Sequence, residues 1–205
     1  MLLIKSKFKI AKRLGAGVFE KTQTQKFALS EARSAANKKG RGGRGGSDYG
    51  RQLLEKQRVR FTYGISERQL SNYAQAAFAE KDPSISLHKA LEMRADSAVY
   101  RAGFASTRRA ARQGVSHGHF TINGKRITTP SYHLRKGDVI AVREGSRTSP
   151  LFAGLAENKE ESPRAIPQWL HVDLSLFKAE ITGEPSYTPM EAGLDYPTVF
   201  EFYSR

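Results

Sequence analysis

The 205-residue chain contains no cysteine. Disulfides, thiolate nucleophiles and thiolate-bound zinc are therefore excluded, and the absence fits a reducing compartment. No run of eighteen apolar residues occurs, so no apolar membrane-spanning helix is expected. No secretory leader is recognisable. The signatures G-x-S-x-G, H-E-x-x-H and G-x-x-x-x-G-K-[ST] are missing as well, which removes the commonest sequence grounds for an enzyme. Acid is scarce: 34 Lys and Arg face 20 Asp and Glu, a formal net charge of +14. An excess of that size calls for a polyanionic partner, because each phosphate neutralised releases condensed counterions.

The excess is laid out in blocks. Residues 1–60 hold sixteen Lys/Arg against four Asp/Glu, and residues 61–89 hold three against three. Residues 90–147 hold eleven against four, and residues 148–205 four against nine. Charge serving solubility alone would be scattered, whereas two basic blocks beside a neutral and an acidic one read as a binding footprint.

Residues 34–47, SAANKKGRGGRGGS, are Gly- and Lys/Arg-rich with nothing to bury, and are expected to form a flexible basic loop. Gly40 to Gly45 formally matches G-x-G-x-x-G, but no apolar strand precedes it, so a dinucleotide site is set aside. Asp48 is expected to cap a helix to about Phe61, with Leu53, Leu54 and Gln57 near one face and a stop at Tyr63-Gly64. Ser66 to Gln69 reads as a capping box opening a second helix with the stripe Leu70, Tyr73, Ala74, Ala77 and Phe78. Asp82-Pro83 closes it, and a third helix is expected from about Leu87 to Tyr100, ended by Gly103. Ser106 is expected to cap a short helix, Thr107 to Gln113, stopping at Gly114. His119 to Ile122, the turn Asn123-Gly124 and Lys125 to Ile127 form a strong hairpin signal. Val139 to Val142 reads as a short buried strand. The Pro-broken tail offers Trp169–Val172 and Val199–Tyr203 as strands that return to complete a sheet.

Arg108 and Arg112 are four residues apart and share a helix face, with Arg109 beside them. Guanidinium forks there match phosphate oxygens or stack on exposed bases, and Ser106 and Thr107 add hydroxyls where free N–H groups favour phosphate. His117-Gly118-His119 lacks the carboxylates a metal site would need. Protonation beside RNA and simple packing against the hairpin both remain open for it. Asp96 is expected to cap its helix or pair with Arg94. Tyr49, Tyr63 and Tyr73 are candidates to stack on bases, with packing between helices the better reading for Tyr73 because it lies on the apolar stripe.

Three segments carry a resemblance to a known family. SDYGRQLLEKQRVRFTYGISERQLSNY (47–73) resembles the signature helix pair of the bacterial small-subunit ribosomal protein S-four. EMRADSAVYRAGFASTRRAARQGVSHGHFTINGKRITTPSYHLRKGDVIAVRE (92–144) resembles that family's RNA-binding module throughout, and EFYSR (201–205) resembles its C-terminus. The module alone recurs in pseudouridine synthases, tyrosyl-tRNA synthetases and small stress proteins; the helix pair and the ending specify the family. The chain departs from it in lacking the four N-terminal cysteines of zinc-binding relatives and the usual ARYxGP opening. Its Gly-Arg loop stands where relatives carry a Pro-Gly-Gln-His-Gly type segment.

The resemblance implies an α+β protein with a basic N-terminal arm and loop (1–46), a helical rRNA-binding domain (47–91) and an inserted α+β RNA-binding module (92–147). An acidic, Pro-broken tail (148–205) would supply strands that complete the fold. The implied function is that of a structural constituent of the small ribosomal subunit. It would be a primary binder of the 5′ domain of small-subunit rRNA, nucleating assembly and contributing to fidelity where messenger RNA enters. Ribosomal protein S-five is the implied neighbour; no enzyme activity, cofactor, metal or membrane is expected. The expected RNA-binding residues are Lys38, Lys39, Arg41, Arg44, Tyr49, Arg51, Lys56, Arg58, Arg60, Arg68, Arg94, Ser106, Thr107, Arg108, Arg109, Arg112, His117, His119, Lys125 and Arg126. A free-standing, ribosome-associated RNA-binding regulator is the alternative.

Overall fold

The computed structural model describes residues 4, 6–38, 47–152 and 165–204. They divide into two compact units, Met1–Leu87 with Tyr187–Arg205, and His88–Ser186.

The first unit is helical. Helix α1 (Lys7–Leu14) leads through two 3-10 turns into α2 (Gln25–Lys38), followed by α3 (Asp48–Tyr63) and α4 (Glu67–Phe78). Helix α5 (Pro83–Glu92) begins here, and after the second unit a single turn, Pro189–Ala192, leads into α9 (Tyr196–Tyr203). The N-cap of α3 is Ser47 rather than Asp48: the Ser47 hydroxyl accepts from the Gly50 amide at 3.2 Å, leaving Asp48 in the first turn, where a carboxylate favours the helix dipole. Gly64, at φ +62°, stops the helix as expected. The buried line of α3 is Gln52, Lys56, Val59 and Tyr63, not the face holding Leu53, Leu54 and Gln57. Helix α3 has neighbours on two sides: Leu54 turns to the small core of Ala11, Leu14, Val18, Phe19 and Phe27, while α9 lies along the other flank.

Val199–Tyr203 is helical and not a strand. Asp195 caps it, accepting from the Thr198 amide at 3.3 Å, with Pro197 in the first turn. The buried residues Tyr196, Val199 and Phe200 recur at helical spacing. Aromatic residues favour strands when nothing else decides; here the cap and the groove beside α3 decide. Phe200 meets Phe78 edge-on at 4.7 Å, and the Tyr196 and Tyr63 hydroxyls lie 3.3 Å apart.

The second unit packs α6 (Ala95–Arg101), α7 (Arg108–Ser116) and the one-turn α8 (Glu144–Arg147) with an antiparallel sheet of β1 (Phe120–Ile122), β2 (Lys125–Ile127), β3 (Val139–Val142), β4 (Leu170–Asp173) and β5 (Lys178–Ile181). The strand order is β2-β1-β3-β5-β4. The hairpin turn is the expected one, with Asn123 at φ +50° and Gly124 at φ +79°, the two left-handed residues of a type I′ turn. Strand β5 lies beyond the expected elements. Its Ala179 and Ile181 are buried and it pairs with both β3 and β4, so β4 joins the sheet only through it. The core gathers Ala98, Val99, Ala111, Val115, Phe120, Ile140, Leu134 and Ile181 between helices and sheet.

Two helix expectations need correction. The helix expected from Leu87 to Tyr100 is two helices, broken at Met93-Arg94. Arg94 is extended at ψ 144° and bridges to His133, because the 130–134 segment takes over the backbone partners. The Ala95 amide donates to Tyr132 at 2.9 Å, and the Leu134 amide to Met93 at 2.8 Å. The short arginine helix is capped by Thr107, not Ser106; its hydroxyl accepts from the Ala110 amide at 3.1 Å. That helix also runs past Gly114 to Ser116. Gly114 is a packing residue: a Cβ there would sit 2.9 Å from Phe120 Cε2.

Candidate nucleic-acid interface

In the second unit, cations divide by whether a carboxylate holds them. Glu92, at the end of α5, is only 1% exposed. Its carboxylate accepts from Arg101 Nε at 2.7 Å and Nη2 at 3.0 Å, and from Arg108 Nη2 at 3.0 Å. Arg108 also donates to the Ser97 hydroxyl at 3.3 Å and stacks over the Tyr100 ring at 4.7 Å. Asp96, likewise buried, takes a bidentate grip from Arg94 at 2.8 and 2.9 Å, with Arg112 Nη1 at 3.7 Å. The expected Arg94–Asp96 pair is thus present, and it encloses Arg94 completely; in this conformation Arg94 presents nothing to a partner. Arg108 and Arg112 do share a face of α7, but that face is partly buried and aimed at two acids of α5 and α6. Their guanidiniums are positioned before any ligand arrives.

Lys89 pairs with Glu184 and the half-buried Arg147 donates to the Val142 carbonyl, while other cations of this unit are exposed. Arg109 lies on the outer side of α7, and Lys125 and Arg126 lie on β2. Arg126 Nη2 donates to the His117 carbonyl at 3.1 Å. His117 is exposed, whereas His119 is half-buried and its Nδ1 sits 3.0 Å from the Ser146 hydroxyl. Burial lowers the His119 pKa below its ordinary value, and His117, Arg143 and Arg126 push it the same way. Arg143, Arg135 and Lys136 are further exposed cations that the sequence did not single out. Arg135 and Lys136 are the one adjacent pair among them, beside the Gly137 turn, and that was the available signal. Ser106 is exposed, while the Thr107 hydroxyl is taken by its cap.

In the first unit, three of the expected contacts are spent inside the fold. Lys56 Nζ is buried, 2.8 Å from Glu67 and 4.1 Å from the centre of the Phe202 ring. Arg58 donates to the Leu14 carbonyl and to Glu55, both at 2.8 Å. Arg60 reaches Gln57 at 3.1 Å and Glu67 at 3.8 Å. The Tyr203 hydroxyl closes the network on Glu67 at 2.9 Å, and burial, then that carboxylate, raise its pKa. Tyr49 is exposed with its ring 5.7 Å from Phe202, Arg51 is exposed 3.4 Å from Asp48, and Arg68 is exposed. Lys38 ends α2, and Lys39, Arg41 and Arg44 lie outside the described residues.

The arrangement can do one kind of chemistry well. It offers fixed and exposed guanidinium and ammonium groups to an extended polyanion, with no grouping of three metal-ligating side chains among the described residues. Comparison with known proteins agrees. The family described as Ribosomal protein S4/S9 N-terminal domain matches residues 3–93, and the S4 domain family matches residues 93–140. Small ribosomal subunit protein uS4 of Persephonella marina is 43% identical over 160 residues, covering 77% of each chain. The uS4 protein of Roseiflexus castenholzii is 39% identical over 202 residues and 96% of each chain. That of Borrelia turicatae is 38% identical over 202 residues, 98% of this chain and 96% of its own. Held over nearly the whole length at these identities, the likeness places the chain in the uS4 family of small ribosomal subunit proteins.

Proposed function

We propose that the chain is an rRNA-binding structural constituent of the small ribosomal subunit, not an enzyme, and that it binds the 5′ domain of the rRNA as a primary, assembly-nucleating protein. In the finer reading it sits beside ribosomal protein S-five, near where messenger RNA enters, and its compartment is that of the small subunit it joins. The observation that carries this reading is the division of cations in the second unit. Arg101, Arg108 and Arg112 are held in place by Glu92 and Asp96, while Arg109, Lys125, Arg126 and Arg143 stand exposed. A set of prepositioned donors reads the shape of a folded RNA, and the exposed cations supply backbone neutralisation.

The test is titration of the protein against a 5′-domain fragment, with an unrelated folded RNA and duplex DNA as competitors and salt varied throughout. The proposal expects preference for the ribosomal fragment that survives rising salt. Equal and steeply salt-sensitive binding to all three leaves only a generic polycation. The regulator alternative is separated by abundance: a constituent is present once per small subunit, a regulator is not.

A further inference from the structure

The His117-Gly118-His119 motif has no part in the carboxylate-held arginine set. Gly118 has φ +74°, and a Cβ on it would lie 2.2 Å from Arg126 Nε. The bare glycine therefore lets the Arg126 guanidinium cross the end of α7 and bond the His117 carbonyl. The Arg143 amide donates to the His119 carbonyl at 2.8 Å, bringing the end of β3 to the same place. The two imidazoles lie 6.0 Å apart, and His119 stands edge-on to Phe152 at 5.9 Å. The charged groups that act on His119 are His117 from the end of α7, Arg126 from β2 and Arg143 from the start of α8. Arg126 and Arg143 are cationic and His117 is protonatable, and the Ser146 hydroxyl faces His119 from α8. Among the described residues, no carboxylate forms an ion pair with any of the four.

We propose that His117, His119, Arg126 and Arg143 form a subsite for one RNA backbone phosphate, and that the histidine pair takes up a proton as the phosphate docks. The proposal deepens the rRNA-binding reading and rests on it. Among the described residues no carboxylate pairs with these four cationic or protonatable groups, so burial and then the neighbouring positive charge favour the neutral His119 imidazole in the free protein. An arriving phosphate reverses the sign of the local field and hydrogen-bonds the charged imidazole, and both effects favour protonation. A cleft of about 180 Å³, walled by Phe104, Phe120, Phe152 and both histidines, opens beside the cluster.

The experiment measures affinity for the 5′-domain fragment between about pH 5 and about pH 8 at fixed ionic strength. It compares the full chain with its His117→Gln/His119→Gln and Arg126→Gln/Arg143→Gln variants, each checked for folding by thermal melting. Affinity of the unaltered chain rises as pH falls, by up to about tenfold per pH unit for each proton linked. The histidine double variant loses that dependence. His88 and His133, whose pKa values burial also lowers, set the background slope that remains. The arginine double variant shows a salt slope lower by about one, the signature of one lost phosphate. In imidazole NMR, His119 gains a raised pKa when RNA is added, but not with inorganic phosphate at the same phosphate concentration. A pH dependence unchanged in the histidine variant, or flat in the unaltered chain, overturns the proposal. Inorganic phosphate acting as strongly as RNA overturns the RNA assignment. If an unrelated RNA binds as well as the ribosomal one, with the same pH slope, the ribosomal reading fails while the subsite stands.

Discussion

Glu92→Gln removes one carboxylate oxygen and the charge from a nearly sealed position. Glu92 is 1% exposed and accepts hydrogen bonds from both Arg101 and Arg108. Removing one partner of a fully buried pair costs about 3–5 kcal/mol, because the survivor is left buried and uncompensated. Here the Arg108 side chain is 15% exposed and Arg101 33%, so solvent screens part of that loss. The amide also keeps one acceptor, but turns its NH₂ toward a guanidinium that is itself only a donor. The balance is about 2–3 kcal/mol of lost stability. For a cooperative unit on the order of 100 residues, the melting temperature falls roughly 8–20 °C. Urea and thermal denaturation of the full chain read this directly. A double-mutant cycle with Arg108→Gln should return a coupling of about 1–2 kcal/mol. RNA binding gives a second, sharper readout. The variant is one charge more basic, so simple charge attraction predicts no loss of affinity. Lost positioning of Arg108 predicts a weaker preference for the 5′-domain fragment over an unrelated RNA. A stability loss under about 0.5 kcal/mol, with preference intact, would refute the claim that Glu92 fixes these arginines.

Arg94 and Arg109 should behave oppositely. Arg94→Ala removes the bidentate grip on the buried Asp96, leaves it the longer Arg112 contact at 3.7 Å, and costs about 3 kcal/mol of stability, whereas Arg109→Ala stays within about 0.5 kcal/mol and lowers the salt slope of RNA binding by about one. Denaturation and salt titration of both variants check this. Gly114→Ala should destabilise by about 1–3 kcal/mol despite alanine's better helix propensity, because its Cβ meets the Phe120 ring in a packed core; an increase in melting temperature would contradict that geometry. His88 is buried on α5; burial, then Arg101 and Arg108, lower its pKa against the opposing pull of Glu92. A histidine whose folded pKa lies below the unfolded value contributes fully above about pH 6.5, and its contribution fades as pH falls through the folded value. The stability of His88→Gln should therefore depend less on pH below about 6.5, as shown by melting curves across that range.

Much of the second unit was legible from residue order because its signals are local. A type I′ turn needs two left-handed residues, and Asn123-Gly124 supplies them regardless of surroundings. The Gly64 stop and the Ser66 cap are equally local, and so is the spacing that puts Arg108 and Arg112 on one face. The errors fall where distant segments compete. Nothing near Arg94 announces a helix break; the backbone of residues 130–134 imposes it. Val199–Tyr203 has the composition of a strand, but the groove beside α3 accepts it as a helix. Lys56 looks like surface charge in a basic run and is a buried ion-pair partner, because Glu67 and Phe202 reach it from α4 and α9.

The sequence by itself determined the class of partner and the residue types available for phosphate, since charge blocks, turn chemistry and motif order do not depend on folding. Tertiary structure alone decided which cations are spent and which are offered. Glu92 and Asp96 draw arginines inward because a desolvated carboxylate needs a counter-charge within about 3–4 Å, and the buried Lys56 needs the more exposed Glu67 for the same reason. Only the folded chain fixes which basic side chains lie that close.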